Sequence, residues 1–386
     1  MHLFVQFIHS LSPTDFLTQL HSCFDQIDLV SDNFKTKRRI VKITVFTPCA
    51  DNSDYLLKMN LLKDAIEHFD VCQAPVSLVS QAPIDGGTIL EVWLMEYPET
   101  GCEFTFNQGE QVSALHLECP DFSCLFSTQY SASHQGFKEN TFETFNLLDA
   151  TLHETGFDYG DIVRQWNYIE DITLLDTVSD EYLQNYQIFN DVRSFFYEQS
   201  NFTNGYPAAT GIGAANGGCT IEVIALKEKN QNSVKPITNF LQVDAHSYSS
   251  TVLVGDAIKE LPKASTPKFE RGKFIHFGDE GFLFISGTAS IIGEKTVYTE
   301  NVENQTITTI QNIEHLLSTN NLNKNNINNI SKPRLHNYRV YLKNESDYPK
   351  VKSLCDAHFG PESGFFVKAD VCRSNLLVEI EANYGI

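Results

Sequence analysis

One order of elements recurs three times along this chain, and units of that kind bury their apolar faces by stacking on one another. RRIVKITVFTPCADNSDYLLKMNLLKDAIEHF (38–69) reads as a strand, a polar turn and a helix with apolar residues at helical spacing. PVSLVSQAP (75–83) and TILEVWLMEY (88–97) add two strands. The order returns as GDIVRQWNYIEDI, EYLQNYQIFNDVRSFFYEQ, YPAATGIG and CTIEVIAL between residues 160 and 226. It returns again as NYRVYLK, DYPKVKSLCDAHF, FFVKADV and LLVEIEA between 337 and 382. Upstream helices, FETFNLLDATLHET and TITTIQNIEHLLST, precede the second and third copies. HLFVQFI (2–8) and an amphipathic helix from Pro13 to about Leu29, with Ser12 or Thr14 as its cap, precede the first. The expected units are therefore a truncated one over 1–100, a second over 101–232 and a third over 233–386. Polar KEKNQNSVKP (227–236) reads as a linker, and Asn-rich TNNLNKNNINNISKP (319–333) as a surface loop without a role in chemistry.

Composition narrows the partners. A formal charge of −21 argues against nucleic acid and against an anionic membrane, both of which need clustered Lys and Arg. An anionic metabolite stays open if a few buried cations outweigh the global field locally. Arginine is scarce, so those inside motifs carry information: Arg164, Arg193, Arg271, Arg339 and Arg373. Nine cysteines without CxxC spacing read as reduced thiols in the cytosol rather than a disulfide framework or zinc site. MHLFVQFIHSL lacks a basic n-region and a long apolar core, and no window approaches a membrane span, so a cytoplasmic protein is expected. The sequons at Asn201, Asn304, Asn329 and Asn344 are then chance matches.

The last segment, ADVCRSNLLVEIEANYGI (369–386), concentrates the candidate chemistry. Val378, Ile380 and Ala382 alternate with Glu379 and Glu381, which puts both carboxylates on one face of a strand. A charged strand residue ordinarily faces water, and that is the reading for Glu381. Elsewhere, GIGAANGG (211–218) fails as a dinucleotide fingerprint, because Asn216 stands at its last glycine position and no βαβ context follows. His246, His276 and His358 are dispersed, without metal-ligand spacing, and Ser286 in ISGTAS lacks a GxSxG elbow. Tyr206 and Thr210 lie on a Pro-started, Gly-rich strand where main chain can approach a ligand; the alternative is an edge strand with a packed tyrosine. Arg164 on its strand and Arg193 on its helix are each most often surface ion pairs, although a guanidinium fork also grips a carboxylate bidentately. A lone Cys372 is usually core filler.

The blocks ISGTASIIGEKTVYTENVENQTITTIQNIEHLL, NYRVYLKNESDYPKVKSLCDAHFG and CRSNLLVEIEA resemble the chorismatase family, whose carboxy-terminal half has the RidA/YjgF-like fold. The likeness continues upstream through VRQWNYIEDI (163–172), FNDVRSFF (189–196), YPAATGIG (206–213) and PKFERGKF (267–274). The resemblance implies an α+β chain of repeated RidA/YjgF-like (chorismate-mutase-like) units. RidA-like proteins are commonly trimers with sites between subunits, so three copies in one chain imply an intramolecular pseudo-trimer and a monomer. It further implies cleavage of the enolpyruvyl ether of chorismate to pyruvate and 3-hydroxybenzoate, without metal or organic cofactor. Some 4-hydroxybenzoate or dihydroxycyclohexadiene carboxylate is possible in that reading.

On the same resemblance Glu379 is the acid that protonates the enolpyruvyl methylene, and Cys372 governs product choice. Arg164, Arg193 and Arg271 are carboxylate-clamp candidates, with Arg373 as a substitute, and Tyr206 and Thr210 are expected to bind substrate. A carboxylic acid can deliver that proton if partial burial, or a like charge such as Glu381, raises its pKa. One rival is a RidA-type imine or enamine deaminase, but Phe366 and Ala209 stand where those enzymes carry a carboxylate-binding arginine. The other is a non-catalytic small-molecule-binding module. Within LQVDAHSYSSTVLVGDAIKELPKASTPKFERGKF (241–274), His246 replaces a usual aromatic and two tyrosine landmarks are missing, so the resemblance leaves the pocket wall and the isomer released open.

Overall fold

In the computed structural model of the chain the described residues are 2–10, 14–31, 38–69, 73–96, 101–132, 136–176, 183–228, 234–254, 258, 264–277, 280–328 and 330–386. The N-terminal sheet comprises β1 (His2–His9), β2 (Arg38–Thr47), β3 (Val76–Ser80) and β4 (Ile89–Glu96), with helices α1 (Phe16–Ser31) and α2 (Asn52–Phe69). The middle sheet is built from β5 (Glu103–Gln108), β6 (Val112–Glu118), β7 (Phe122–Ser131), β8 (Ile162–Glu170), β11 (Ala208–Ala214) and β12 (Cys219–Glu228). Its helices are α3 (Phe137–Glu154) and α4 (Asn185–Tyr197), and a two-strand ribbon, β9 (Leu175–Asp176) with β10 (Leu183–Gln184), precedes α4.

The C-terminal sheet contains β13 (Val234–Ile237), β14 (Gly272–Phe277), β15 (Glu280–Ala289), β18 (Arg334–Leu342), β19 (Gly364–Lys368) and β20 (Val378–Gly385). The ribbon β16 (Ile291–Ile292) with β17 (Lys295–Thr296) and the helices α5 (Val302–Leu317), α6 (Thr319–Lys324) and α7 (Tyr348–Phe359) complete it.

The three sheets share one topology. Their orders contain β1-β4-β2-β3, β7-β12-β8-β11 and β15-β20-β18-β19, to which the second and third add two outer strands each. In every case the pair β2/β3, β8/β11 or β18/β19 is parallel and the return strand β4, β12 or β20 runs antiparallel between its neighbours. The chain is α+β.

Helices cover one face of each sheet, and the opposite faces meet. On β20, Val378, Ile380, Ala382 and Tyr384 pack with Ile313 and Leu316 of α5 and Val351 of α7. A separate apolar cluster draws on all three sheets through Phe46, Trp93, Phe126, Trp166, Phe284 and Tyr341. Burial of these aromatic side chains stabilises by about 1.5–3 kcal/mol each, which ties the sheets together more strongly than any one contact. Main-chain hydrogen bonds also cross the junctions: Gly213 N to Asp370 O at 2.8 Å, Ala215 N to Ser80 O at 2.9 Å and Lys368 N to Ala82 O at 2.8 Å.

Four sequence expectations change. Thr319–Lys324 in the Asn-rich segment is helix, started by the Ser318 side chain accepting from Asn321 N, and the Asn321 and Asn325 amides donate to Thr238 O. Asn-rich composition signals a loop only where the amides lack such partners; Asn329 itself lies outside the described residues. Helix α1 is capped by Asp15, which accepts from Thr18 N, rather than by Thr14, while Ser12 is outside the described residues. Cys102 and Cys119 form a disulfide, where reduced thiols were expected. They flank β5 and β6 one residue beyond the Glu103–Glu118 pair, so the hairpin itself brings them opposite each other. The expected linker at 227–236 begins in β12 and ends in β13, with 229–233 outside the described residues.

Candidate active site

Strand alternation sends Glu379 and Glu381 away from the helices, but that face of β20 is not solvent. It is the interior between sheets, and both residues are buried, which corrects the solvated reading of Glu381. Opposite them, β15 is bulged: Ile285 pairs with Ala382 and Thr288 with Ile380, leaving Ser286 and Gly287 to face the single residue Glu381. A bulge frees backbone groups for other partners. Ser286 N donates to Arg271 O and Gly287 N to Thr210 Oγ1, while Ser286 Oγ accepts from Ala209 N, which sews β15 to β11 of the middle sheet. A Cβ at Gly287 would collide with the Glu379 carboxylate where it now lies, so the glycine leaves that position open to it.

Behind this strand runs a closed set of buried ion pairs. Lys42 Nζ lies 2.7 Å from Glu222, Arg164 Nη2 lies 2.8 Å from Glu381, and Arg339 Nη2 lies 2.5 Å from Glu91. Each sheet thus gives its cation to the next sheet's glutamate, cyclically. Glu381 is fully occupied: it also accepts from Thr210 Oγ1 at 2.5 Å, Trp166 Nε1 at 2.9 Å and the Tyr341 hydroxyl at 3.1 Å. Burial raises its pKa, but Arg339, Arg164 and these donors outweigh burial and hold the carboxyl below its ordinary range.

Glu379 is treated differently. It accepts no hydrogen bond from the described residues and is pushed up to about 8, by burial first and then by the charge of Glu381, against the opposing pull of Arg164 and Arg271. It opens into a cavity of about 60 Å³ lined by α4 (Tyr186, Gln187, Asn190, Arg193), by Ala209 and Gly211 of β11, and by Tyr248, Phe269, Arg271, Gly287, Cys372 and Arg373. Three arginines converge there, none with a carboxylate within 4.0 Å among the described residues. Arg193 donates to Asn190 Oδ1 at 2.7 Å; Arg271 donates to Val243 O and the Tyr248 hydroxyl, both at 2.7 Å; Arg373 donates to Glu294 O at 2.9 Å. The Nε atoms of Arg193 and Arg271 have no hydrogen-bond partner among the described residues. In a chain of net charge −21, that leaves a buried positive surface beside one neutral carboxylic acid. Its complement is an anion with more than one carboxylate.

The structure brings Glu379, Cys372, Arg193, Arg271 and Arg373 to this cavity. It does not bring Arg164, Thr210 or Tyr206 to the wall. Arg164 and Thr210 serve the ion-pair set behind Glu379, and Tyr206 stacks with Tyr197 at 6.1 Å and lies 5.4 Å from His246. Cys372 is pushed up to about 12, by burial and by the Glu379 charge, so it is a neutral thiol that fills space rather than a thiolate. Sequence reasoning missed Gln187 and Asn190, although with Arg193 they form a polar stripe at every third position of a helix that also carries Ile188, Phe189, Val192 and Phe196. Tyr248 and Phe269 carried no local signal. Among the described residues, no group of three or more His, Cys, Asp or Glu side chains could hold a metal ion, and no helix is long and apolar enough to cross a membrane.

Residues 104–225 match the family described as Chorismatase FkbO/Hyg5-like, N-terminal. A 3-hydroxybenzoate synthase of Streptomyces hygroscopicus is 32% identical over 232 residues, 58% of this chain and 64% of the relative. A chorismatase of Streptomyces rapamycinicus is 28% identical, again over 64% of its length, so these alignments span less than two thirds of either relative. A further chorismatase from S. hygroscopicus is 27% identical over 84% of this chain and 88% of that protein. In fold, a crystal structure of a chorismatase superposes with a TM-score of 0.73 at 21% identity, covering 99% of this chain and 98% of the other.

Proposed function

We propose that the chain is a chorismatase, on its likeness to that family, and that it cleaves the enolpyruvyl ether of chorismate, releasing pyruvate and 3-hydroxybenzoate. The observation that carries this reading is a protonated, unpartnered Glu379 facing three arginines that lack carboxylate partners. Chorismate is a dicarboxylate, and charge-assisted hydrogen bonds to carboxylates are worth roughly 1.5–3 kcal/mol each. Arg193 and Arg271, with Arg373, hold the two carboxylates; Glu379 then delivers its proton to the enolpyruvyl methylene and an oxocarbenium-like centre forms. Proton delivery of this kind contributes about 10²–10⁴-fold. The atoms of chorismate divide between pyruvate and 3-hydroxybenzoate with nothing added, so the ring supplies the internal nucleophile and water is best kept out. Cys372 does that by occupying the wall as an uncharged thiol.

The turn Ser250–Val252, none of whose residues is buried, borders the cavity through Val252. The deaminase reading lacks support in the site, since Phe366 packs in the C-terminal apolar cluster and Ala209 lines the cavity without charge.

The three sheets act in this reading as a pseudo-trimer of RidA-like units spanning 1–100, 101–232 and 233–386. Both sides of the site come from the last two units, which favours a monomer. Purified protein given chorismate in metal-free buffer should release pyruvate and one dominant aromatic product, identified by chromatography. Release should fall at least about 100-fold in Glu379→Gln. Absence of pyruvate from the parent protein, or equal release by the variant, removes the proposal.

A further inference from the structure

The ion-pair set is balanced without Glu379: three cations, Lys42, Arg164 and Arg339, meet three carboxylates, Glu91, Glu222 and Glu381. Glu379 is a seventh group that pairs with none of them. The charged and titratable groups facing it are Glu381 on its own strand, Arg164 on β8, Arg271 just before β14, Cys372 and Arg373 in the turn before β20, Tyr186 and Arg193 on α4, and Tyr248 across the cavity. Those facing Glu381 are Arg164, Arg339, Tyr341 and Tyr168.

Arg339 is the one shared cation whose position is set from outside the site. Its Nη2 lies 2.5 Å from Glu91, whereas its Nη1 stays 3.6 Å from Glu381 and donates instead to the Tyr168 and Tyr341 hydroxyls, both at 2.9 Å. Glu91 is itself fixed by Trp93 Nε1 at 2.7 Å, with Lys42 3.8 Å away. Glu91 belongs to the N-terminal sheet and lines no part of the cavity.

We propose that Glu91 is a positioning residue for proton delivery by Glu379: it holds the Arg339 guanidinium back from Glu381, so that the charge of Glu381 is left only partly cancelled where Glu379 feels it. This rests on Glu379 being the acid of the proposed reaction. It gives the N-terminal unit, which supplies no wall to the site, a part in the chemistry.

The test is Glu91→Gln, which removes the charge and keeps one acceptor oxygen, for Trp93 Nε1, while the amide nitrogen takes the place of the oxygen that accepts from Arg339. Arg339 then closes on Glu381, Glu379 ionises more easily, and the alkaline limb of kcat/KM for pyruvate release moves down by about one pH unit. At pH 8 the rate should fall about fivefold while at pH 6 it stays within about twofold of the parent. Glu91→Asp withdraws the carboxylate by one methylene and shifts the limb the same way by less, which keeps the test available if the amide variant does not fold. The protonation of Glu379 is also read without substrate, as the carboxylic-acid carbonyl band in infrared difference spectra against Glu379→Gln. A midpoint that falls in Glu91→Gln supports the inference even if the parent releases no pyruvate, in which case the proposed activity alone is lost. A uniform loss of rate across pH, with the infrared midpoint unmoved in both variants, overturns it.

Discussion

Two junctions of this molecule start from the same strand geometry and end in opposite states. Thr220 stands two residues before the ion-paired Glu222 on β12, and Glu379 stands two residues before the ion-paired Glu381 on β20. Over Thr220, Tyr55 of α2 is packed to 1% exposure against Gly217, and its hydroxyl donates to Leu78 O at 3.3 Å. Over Glu379 there is a cavity instead. The neighbouring strands differ too: β7 runs along β12 without a register shift, whereas β15 bulges at Ser286 and Gly287. A repeated frame supplies buried strand faces, and local departures from the repeat decide which one becomes a site.

The sharpest way to break the comparison is to exchange what each junction's glycine permits. Gly287→Ala places a methyl group against the Glu379 carboxylate and displaces it, so kcat/KM should fall about 100-fold or more, since misplacing a reacting group by about 1 Å costs on that scale. Its stability should change little, because the obstructed atoms end a side chain that can turn. Gly217→Ala meets the packed Tyr55 ring at a φ of +106° and should instead cost about 1–3 kcal/mol of stability, leaving turnover by the folded fraction intact. Urea denaturation beside initial rates separates the two, and matching profiles would dissolve the distinction drawn between the junctions.

The next effect concerns stability against pH. The folded-state pKa of Glu379 is raised from 4.5 to about 8, so the native state keeps a proton that the unfolded chain releases. Stability from this group is fully present below about pH 4.5 and is lost as pH rises through about 8. Glu379→Gln removes the dependence and should be more stable than the parent at pH 9 by on the order of 2 kcal/mol, with little difference at pH 5. Thr220→Val, at the matching position of the sealed junction, should shift stability equally at both. A parent whose urea midpoint is flat from pH 5 to 9 would show that Glu379 is not held protonated.

The order of strands and helices could be read from apolar period alone, because period 2 and period 3.6 are set by local geometry. That Glu379 and Glu381 share a face was equally readable. That this face is interior was not, since its cover comes from β8 and β11, more than 150 residues earlier in the chain. Arg164 was therefore read as a clamp when its partner is Glu381, and the bulge left only a lone glycine in ISGTAS as its trace. Arg193 was easier to place on the site, because it lies on an amphipathic helix in line with Gln187 and Asn190, and its own side chain meets an amide rather than a carboxylate.

The smallest expected effect tests what keeps the open junction dry. Cys372 is half-buried and packs against both the central cluster and the middle-sheet cluster, at the rim where Glu379 meets the cavity. Its thiol is neutral, so removing it changes volume rather than charge. Cys372→Ala vacates roughly the space of one water beside polar groups able to hold it. A water so placed can capture the oxocarbenium-like centre before the ring does, so the dihydroxycyclohexadiene carboxylate fraction should rise while total pyruvate release stays within about threefold, because Glu379 and the arginines are untouched. Chromatography of the aromatic and diene products at matched conversion reads the partition directly. An unchanged profile would mean that water is excluded elsewhere, with Tyr186, Leu253, Phe269 and Ile291 among the apolar surfaces that line the cavity.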